Sequence, residues 1–126
     1  MIGTGRQGVR ANLKRGFLRH DNCRVVAVND VDSWRMDVAA EAVNEAYSNS
    51  GKSYKGVKKY DDYRDLIRDK DVDAVMISTT DHWHAPATIA AALAGKHVCM
   101  EKAFTVAPAH GKAVVEAVKK KGVANR

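Results

Sequence analysis

The 126-residue sequence has few of the residues that mark several protein classes: two cysteines, two prolines and only 6% aromatic residues. Two cysteines, Cys23 and Cys99, are too few for a disulfide framework or a zinc cluster, and we expect two reduced thiols. No apolar run approaches the roughly 20 residues that a membrane-spanning helix needs, so we expect no membrane partner. The hydrophobic content of 45% excludes a disordered tail, and the length suffices for one domain with a modest core.

Acidic residues are outnumbered by basic ones, 15 against 21, which leaves a formal net charge of +6. Lysines form two clusters, one with Lys52, Lys55, Lys58 and Lys59 and one with Lys119, Lys120 and Lys121. Neither cluster comes with interleaved aromatic residues or a recognition module, and the second falls in the last turn of a predicted helix, where cations complement the helix dipole. We therefore interpret both clusters as solvated surfaces and expect no nucleic-acid partner.

The most informative stretch is Gly3-Thr4-Gly5-Arg6-Gln7-Gly8, which has the G-x-G-x-x-G spacing of a dinucleotide-binding turn. Gly3 permits a sharp turn after a strand, Gly5 lets a pyrophosphate approach the backbone, and Gly8 lets the next helix pack closely on the sheet. The N-terminus of that helix would face the phosphates with its free N–H groups and positive dipole end. All three glycines are therefore candidate cofactor-binding residues.

Strand and helix patterns alternate along the rest of the chain. The predicted strands cover Val25–Val28, Val57–Tyr60, Asp73–Ser78 and His97–Met100. Three predicted helices run from Gln7 to Leu18, from Ala85 to Gly95 and from near Thr105 to Gly122. Two more begin at a cap on Ser33 and at Asp61. This alternation predicts an α/β fold, a Rossmann-type doubly wound parallel sheet with right-handed crossovers.

Only Met1 and Ile2 precede the glycine turn, and they can form only the end of the first, central strand. We therefore expect one dinucleotide-binding domain over residues 1–126, with a truncated first strand and incomplete at both ends. The strands on either side of the gap would have unpaired backbone groups, so we expect the 126-residue chain by itself to be poorly stable.

Parallel strands place their carboxyl ends at one edge of the sheet, where open α/β folds bind their ligands. Asp30 lies at such a strand end, 22 residues after Gly8. We favour a hydrogen bond from the adenosine ribose to Asp30 over an ordinary turn or capping role. A carboxylate at this position favours NAD because it repels a 2′-phosphate, whereas the nearby Arg35 could accept that phosphate and leaves NADP open as an alternative.

Two further segments follow neighbouring strands at the same edge, Ser78–His84 and Glu101–Lys102. Within the first, Thr79-Thr80-Asp81 can cap the next helix, hydrogen-bond the nicotinamide ribose, or do both. His82-Trp83-His84 has no evident third partner for a metal ion, so we expect no metal site and interpret it as an amphipathic wall beside the nicotinamide. Lys102 is either a surface lysine or a group that holds a substrate oxygen, and spacing alone does not separate these roles.

Taken together, these motifs resemble the N-terminal, nucleotide-binding half of the Gfo/Idh/MocA family of NAD(P)-dependent oxidoreductases. The resemblance covers essentially the whole chain. It rests on four segments that occur in the family order and spacing, namely Ile2–Gly8, Val28–Asp32, Ile77–Ala85 and Ala94–Lys102.

The resemblance implies a set of cofactor contacts. The pyrophosphate would contact Gly5, Arg6 and Gln7, and the adenosine ribose would contact Asp30. The nicotinamide side would be lined by Ser78, Thr79, Thr80 and His84. Glu101 and Lys102 match the start of the family's Glu-Lys-Pro motif, whose lysine lies at the active site. Ala103 stands in place of the proline, and Thr80 stands where many members have proline.

The resemblance also implies an activity, hydride transfer between the nicotinamide and a sugar, polyol or related carbinol. Lys102 would be the catalytic residue that binds the reacting oxygen, while the family's second α/β domain, absent from these residues, would bind the substrate and supply a base. We expect the 126-residue chain alone to be inactive, and the full-length parent to be a cytoplasmic homo-oligomer, with an upstream export signal left open. The alternatives are an NAD-dependent glycosidase of the same family and a non-catalytic nucleotide-binding module.

Overall fold

A computed structural model of the chain describes residues 1–49 and 55–126. Lys52 of the first lysine cluster lies outside the described residues. The strands are β1 (Ala27–Asn29), β2 (Lys58–Tyr60), β3 (Ala74–Ile77) and β4 (His97–Met100), and the α-helices are α1 (Ser33–Ser48), α2 (Tyr63–Arg68), α3 (His84–Leu93) and α4 (Pro108–Lys121). A π-helix over Gly8–Lys14 and two short 3₁₀ turns, Phe17–Arg19 and Asp81–Trp83, complete the elements.

All strand pairs are parallel, with β1 next to β2 and β3 next to β4. The residues Met1–Ile2 join the two pairs, because Ile2 bridges Asn29 of β1 on one side and Ile77 of β3 on the other. The order is therefore β2, β1, Met1–Ile2, β3 and β4, which confirms the predicted doubly wound parallel sheet with a short central strand. Beyond β4, Asn125 makes an isolated parallel bridge to Val98.

Apolar side chains lie on both faces of this sheet because successive residues of a strand point in opposite directions. On one face, the core consists of Ile2, Ala27, Val75, Ile77 and Val98 with residues of α2 and α3. On the other face, it consists of Met1, Val28 and Met76 with Leu13 of the π-helix and residues of α1. Helices on both faces leave the carboxyl edge of the strands open for a ligand.

Several predicted boundaries are wrong in the first half of the chain. The helix expected from Gln7 to Leu18 is a π-helix that ends at Lys14, followed by a non-helical Gly16. The strand expected from Val25 begins at Ala27, because the Val25 amide donates to the hydroxyl of Tyr47 at 2.8 Å rather than to a neighbouring strand.

Helix starts also differ from the predictions. Asp32, not Ser33, caps α1, since its carboxylate accepts from the Arg35 amide at 3.2 Å. In the same way Asp62 rather than Asp61 caps α2. The last helix begins at Pro108, three residues after the expected start, because proline suits a first turn whose N–H groups have no partner within the helix.

A cavity of about 400 Å³ opens between β1 and β3 behind Met1. It is lined by Val25, Val26 and Ala27 on one side and by Asp73, Ala74 and Val75 on the other, with Cys23 and Cys99 at its border. The two strands therefore do not close onto each other along this length.

Candidate functional site

A cleft of about 600 Å³ lies at the carboxyl edge of the sheet, within the size range of small-molecule sites. It is lined by nine of the predicted site residues: Gly3, Gly5, Arg6, Gln7, Asp30, Arg35, Ser78, Thr79 and Thr80. These residues come from three separate turns, which follow the central strand, β1 and β3. The common strand direction brings them together, as the sequence pattern predicted.

The three glycines of the turn have different physical roles. Gly3 has a φ of +83°, and a Cβ there would lie 2.7 Å from the carbonyl carbon of Ser78. A Cβ on Gly8 would lie 2.7 Å from the carbonyl oxygen of Gly3, so both positions need glycine for the turn itself. A Cβ on Gly5 would meet only the Arg35 guanidinium, at 3.8 Å. Gly5 therefore leaves a bare backbone surface on the cleft, which fits a pyrophosphate.

Asp30 holds the glycine turn to the end of β1. Its Oδ2 accepts from the backbone amide of Thr4 at 2.7 Å and from the Thr4 hydroxyl at 3.0 Å. Its Oδ1 accepts from the amide of Asp32 at 3.0 Å. The carboxylate is half-buried and fixed in orientation, it lines the cleft, and Oδ1 keeps one acceptor position for a further hydrogen bond.

The guanidinium of Arg35 lies beside the open surface of Gly5, 3.8 Å from the place that a Cβ would take. Its Nε lies 3.3 Å from Oδ2 of Asp32, but both side chains are about half exposed, at 54% and 45%. Exposed pairs of this kind contribute little to stability, so the guanidinium can turn toward an anionic ligand at small cost. Asp32 therefore competes with a bound phosphate for Arg35.

The far wall of the cleft is aromatic and combines two turns. The Tyr63 and Trp83 rings meet edge to face with their centroids 6.2 Å apart, and the Arg64 guanidinium lies 4.8 Å from the Tyr63 centroid. The sequence predicted Trp83 as part of a wall but missed Tyr63 and Arg64. Their position just after β2 was the available signal, because the carboxyl-edge rule applies to that strand too.

Four predicted site residues do not line this cleft: Gly8, His84, Glu101 and Lys102. His84 is only 1% exposed. Its Nδ1 lies 2.6 Å from the carbonyl oxygen of Ala103 and its Nε2 lies 3.2 Å from that of Thr79. The imidazole thus joins the turn after β3 to the turn after β4.

The side chains of Thr80 and Trp83 make no capping hydrogen bond at the starts of the adjoining helices, so the capping role expected for this segment is not observed at these positions.

Glu101 faces the π-helix and binds a residue that the sequence did not single out. Its Oε1 accepts from the Asn12 amide at 2.8 Å, and the Gln7 amide nitrogen lies 3.4 Å away. The hydrogen bond from Asn12, followed by that from Gln7, lowers the pKa of Glu101 from its ordinary value of 4.5. Asn12 carries no motif of its own, so only the folded contact identifies it.

Lys102 is exposed and is the second residue after the end of β4. Within residues 1–49 and 55–126, no group of three His, Cys, Asp or Glu side chains could hold a metal ion. In the same part of the chain, no helix is both long enough and apolar enough to cross a membrane.

The sequence matches the model of an oxidoreductase family with an NAD-binding Rossmann fold, Gfo/Idh/MocA, over residues 1–125. The chain belongs to this family. The family assignment from the four motif segments is therefore confirmed, together with the Rossmann fold and a nicotinamide dinucleotide as the cofactor.

Individual relatives are similar over most of this chain. Inositol 2-dehydrogenase of Salmonella typhimurium is 39% identical over 122 residues, which cover 97% of this chain and 32% of that protein. Glycosyl hydrolase family 109 protein 2 of Shewanella sp. (strain ANA-3) is 37% identical over 102 residues, covering 80% of this chain and 21% of that protein. A probable dehydrogenase from Thermotoga maritima superposes with a TM-score of 0.80 at 30% identity, over 98% of this chain and 33% of that structure. The chain thus spans about a third or less of these relatives.

Proposed function

We propose that residues 1–126 form the dinucleotide-binding domain of an oxidoreductase that transfers hydride between a nicotinamide cofactor and a sugar, polyol or related carbinol. One observation carries the proposal: a single cleft unites the bare backbone of Gly5 with the fixed carboxylate of Asp30. The first accommodates a pyrophosphate and the second a ribose hydroxyl. The similarity to an inositol 2-dehydrogenase supports a polyol-like substrate.

The preferred cofactor is NAD. Asp30 is held toward the cleft by Thr4 and Asp32, so its negative charge would stand beside any 2′-phosphate. Arg35 offers a compensating cation, but Asp32 shares it. Because Asp30 is fixed and Arg35 is exposed to solvent, we expect the repulsion of a 2′-phosphate by the carboxylate to exceed its attraction by the guanidinium.

Lys102 is the proposed catalytic residue of the full-length protein. When bound, the nicotinamide supplies or accepts the hydride. Lys102 has an exposed side chain next to the turn that His84 fixes, and its ammonium would hydrogen-bond the substrate oxygen and stabilise negative charge there. The proton would pass to a base outside residues 1–126.

The test is a fluorescence titration with NADH and NADPH of the chain extended by about five apolar residues ahead of Met1, which completes the first strand, using the wild-type sequence, Asp30→Asn and Asp37→Asn. The amide introduced by Asp30→Asn keeps an oxygen that can accept from Thr4, so this variant removes the charge and loses only the hydrogen bond from the Asp32 amide. Asp37 is an exposed α1 carboxylate paired with Lys59, which makes it a matched control outside the cleft. We expect NADH to bind the wild type better than NADPH, and Asp30→Asn to reduce or reverse that preference. If Asp30→Asn preferred NADH over NADPH as strongly as the wild type and Asp37→Asn do, the proposed role of Asp30 would be contradicted.

A second candidate is an NAD-dependent glycosidase, which the similarity to a glycosyl hydrolase family 109 protein favours. In that reaction a transient oxidation acidifies the neighbouring C–H bond and the cofactor is restored, so no net redox change occurs. The full-length protein separates the two: net NADH formation with a free sugar supports the dehydrogenase, and cleavage of an aryl glycoside without NADH accumulation supports the glycosidase.

A further inference from the structure

The Asn12 side chain joins three segments that are far apart in sequence. It is half-buried on the π-helix, and its Nδ2 donates to Oγ of Ser78 and to Oε1 of Glu101, both at 2.8 Å. The partners lie 66 and 89 residues along the chain, one after β3 and the other after β4. One amide therefore ties the helix behind the glycine turn to the ends of two strands.

The chemistry of the three groups fixes the direction of these bonds. An ionised carboxylate can only accept, so the amide nitrogen of Asn12 must face Glu101. A primary amide has two N–H groups, and Glu101 and Ser78 take both. Bonds to an ionised acceptor are stronger than those between neutral groups, so the Asn12–Glu101 bond is the main one.

The position of Asn12 explains why these bonds matter for the cleft. The π-helix begins at Gly8, so Asn12 lies four residues, about one turn, behind the glycine turn. Gly8 itself touches the backbone of Gly3 too closely to admit a side chain. A shift of the helix relative to the strands would thus move the backbone that faces the pyrophosphate.

We propose that Asn12 and Glu101 form a polar clamp that positions the glycine turn for the dinucleotide, so that Asn12 is a positioning residue. The inference rests on the proposed dinucleotide binding. It assigns Glu101 to the support of the turn, and it gives Asn12 a role outside the glycine motif. The donor and the acceptor of this bond can be exchanged, because an amide at position 101 could donate to a carboxylate at position 12.

This reversal supplies the experiment. Asn12→Asp places two carboxylates face to face, and we expect NADH to bind roughly ten-fold more weakly at pH 7.5. The double variant Asn12→Asp/Glu101→Gln restores a donor and an acceptor, and should bind within about three-fold of the wild type. Asn44→Asp, which alters another half-buried asparagine, on α1 and outside the cleft lining, should bind NADH like the wild type.

Acid provides a second readout that a general loss of packing would not give. At pH 5.5 the two facing carboxylates of Asn12→Asp can share a proton and remake the bond, so its deficit relative to wild type should shrink. A pH-independent deficit, a single variant that binds like Asn44→Asp, or a double variant no better than the single would each overturn the clamp.

A wild-type chain that fails to bind NADH would contradict the proposed function but would leave the clamp testable. A ¹³C NMR titration of the Glu101 carboxyl then decides it, because the pKa should lie below 4.5 in the wild type and rise in Asn12→Ala. An identical Glu101 titration in both proteins would refute the Asn12–Glu101 bond itself.

Discussion

We expect the stability of the 126-residue chain to depend on pH through the α-amino group of Met1. It is buried behind the central strand, it donates to the carbonyl oxygen of Ala27 at 2.6 Å, and burial lowers its pKa from 8.0 to about 5. Between these values the unfolded chain binds a proton that the folded chain does not. The folded state therefore loses stability as the pH falls from 8 to 5. A difference of about three pH units corresponds to about 4 kcal/mol, which is large against a domain stability of roughly 5–15 kcal/mol.

Urea unfolding at pH 8, 7, 6 and 5 measures this loss. The comparison protein carries about five apolar residues ahead of Met1, which turn the amine into an uncharged amide and can fill the 400 Å³ cavity between β1 and β3. Asp69 and Glu101 have lowered pKa values, so the stability that they contribute is lost only as the pH falls below about 4.5, outside most of this range. We expect the extended chain to be more stable and to lose less stability on acidification.

The matched control carries five glycine and serine residues at the same place, which remove the amine without supplying apolar side chains. It should lose the pH dependence but gain less stability than the apolar extension. Parallel pH profiles for the original and the extended chain would refute the buried amine. If the two extended chains were equally stable, apolar side chains would not stabilise the chain by filling the cavity between β1 and β3.

Four further substitutions test the cleft and the proposed chemistry. Gly3→Ala should destabilise the chain by at least about 1–2 kcal/mol in urea unfolding, because alanine at φ +83° is strained and its Cβ meets the Ser78 backbone. Gly5→Ala should leave the stability of the chain unchanged but weaken NADH binding measured by calorimetry. Asp30→Ala should cost about 1.5–3 kcal/mol of NADH binding, and unchanged affinity would exclude the ribose contact. Lys102→Ala in the full-length protein should lower kcat roughly 10²–10⁴-fold with little change in NAD affinity, and a variant that keeps more than about a tenth of kcat would make Lys102 a bystander.

The sequence predicts those features that depend on short stretches of chain. The G-x-G-x-x-G spacing, the apolar runs and the alternation of strands with helices are local patterns, and each led to the correct element. The position of Asp30 at the carboxyl edge of the sheet could be predicted because this residue directly follows such a strand. Boundaries were less predictable, because capping by Asp32 and the bond from Val25 to Tyr47 depend on competition between neighbouring groups.

The tertiary structure decided which of these residues share a cleft and which support it. Asn12 has no motif, and its partners lie 66 and 89 residues away, so no local pattern could identify it. Glu101 and His84 read as cofactor-facing residues in sequence, but the fold turns one toward the π-helix and buries the other against two carbonyl groups. Sequence thus determined the strand ends that build the site, while the direction of each side chain depended on contacts that exist only once distant strands lie side by side.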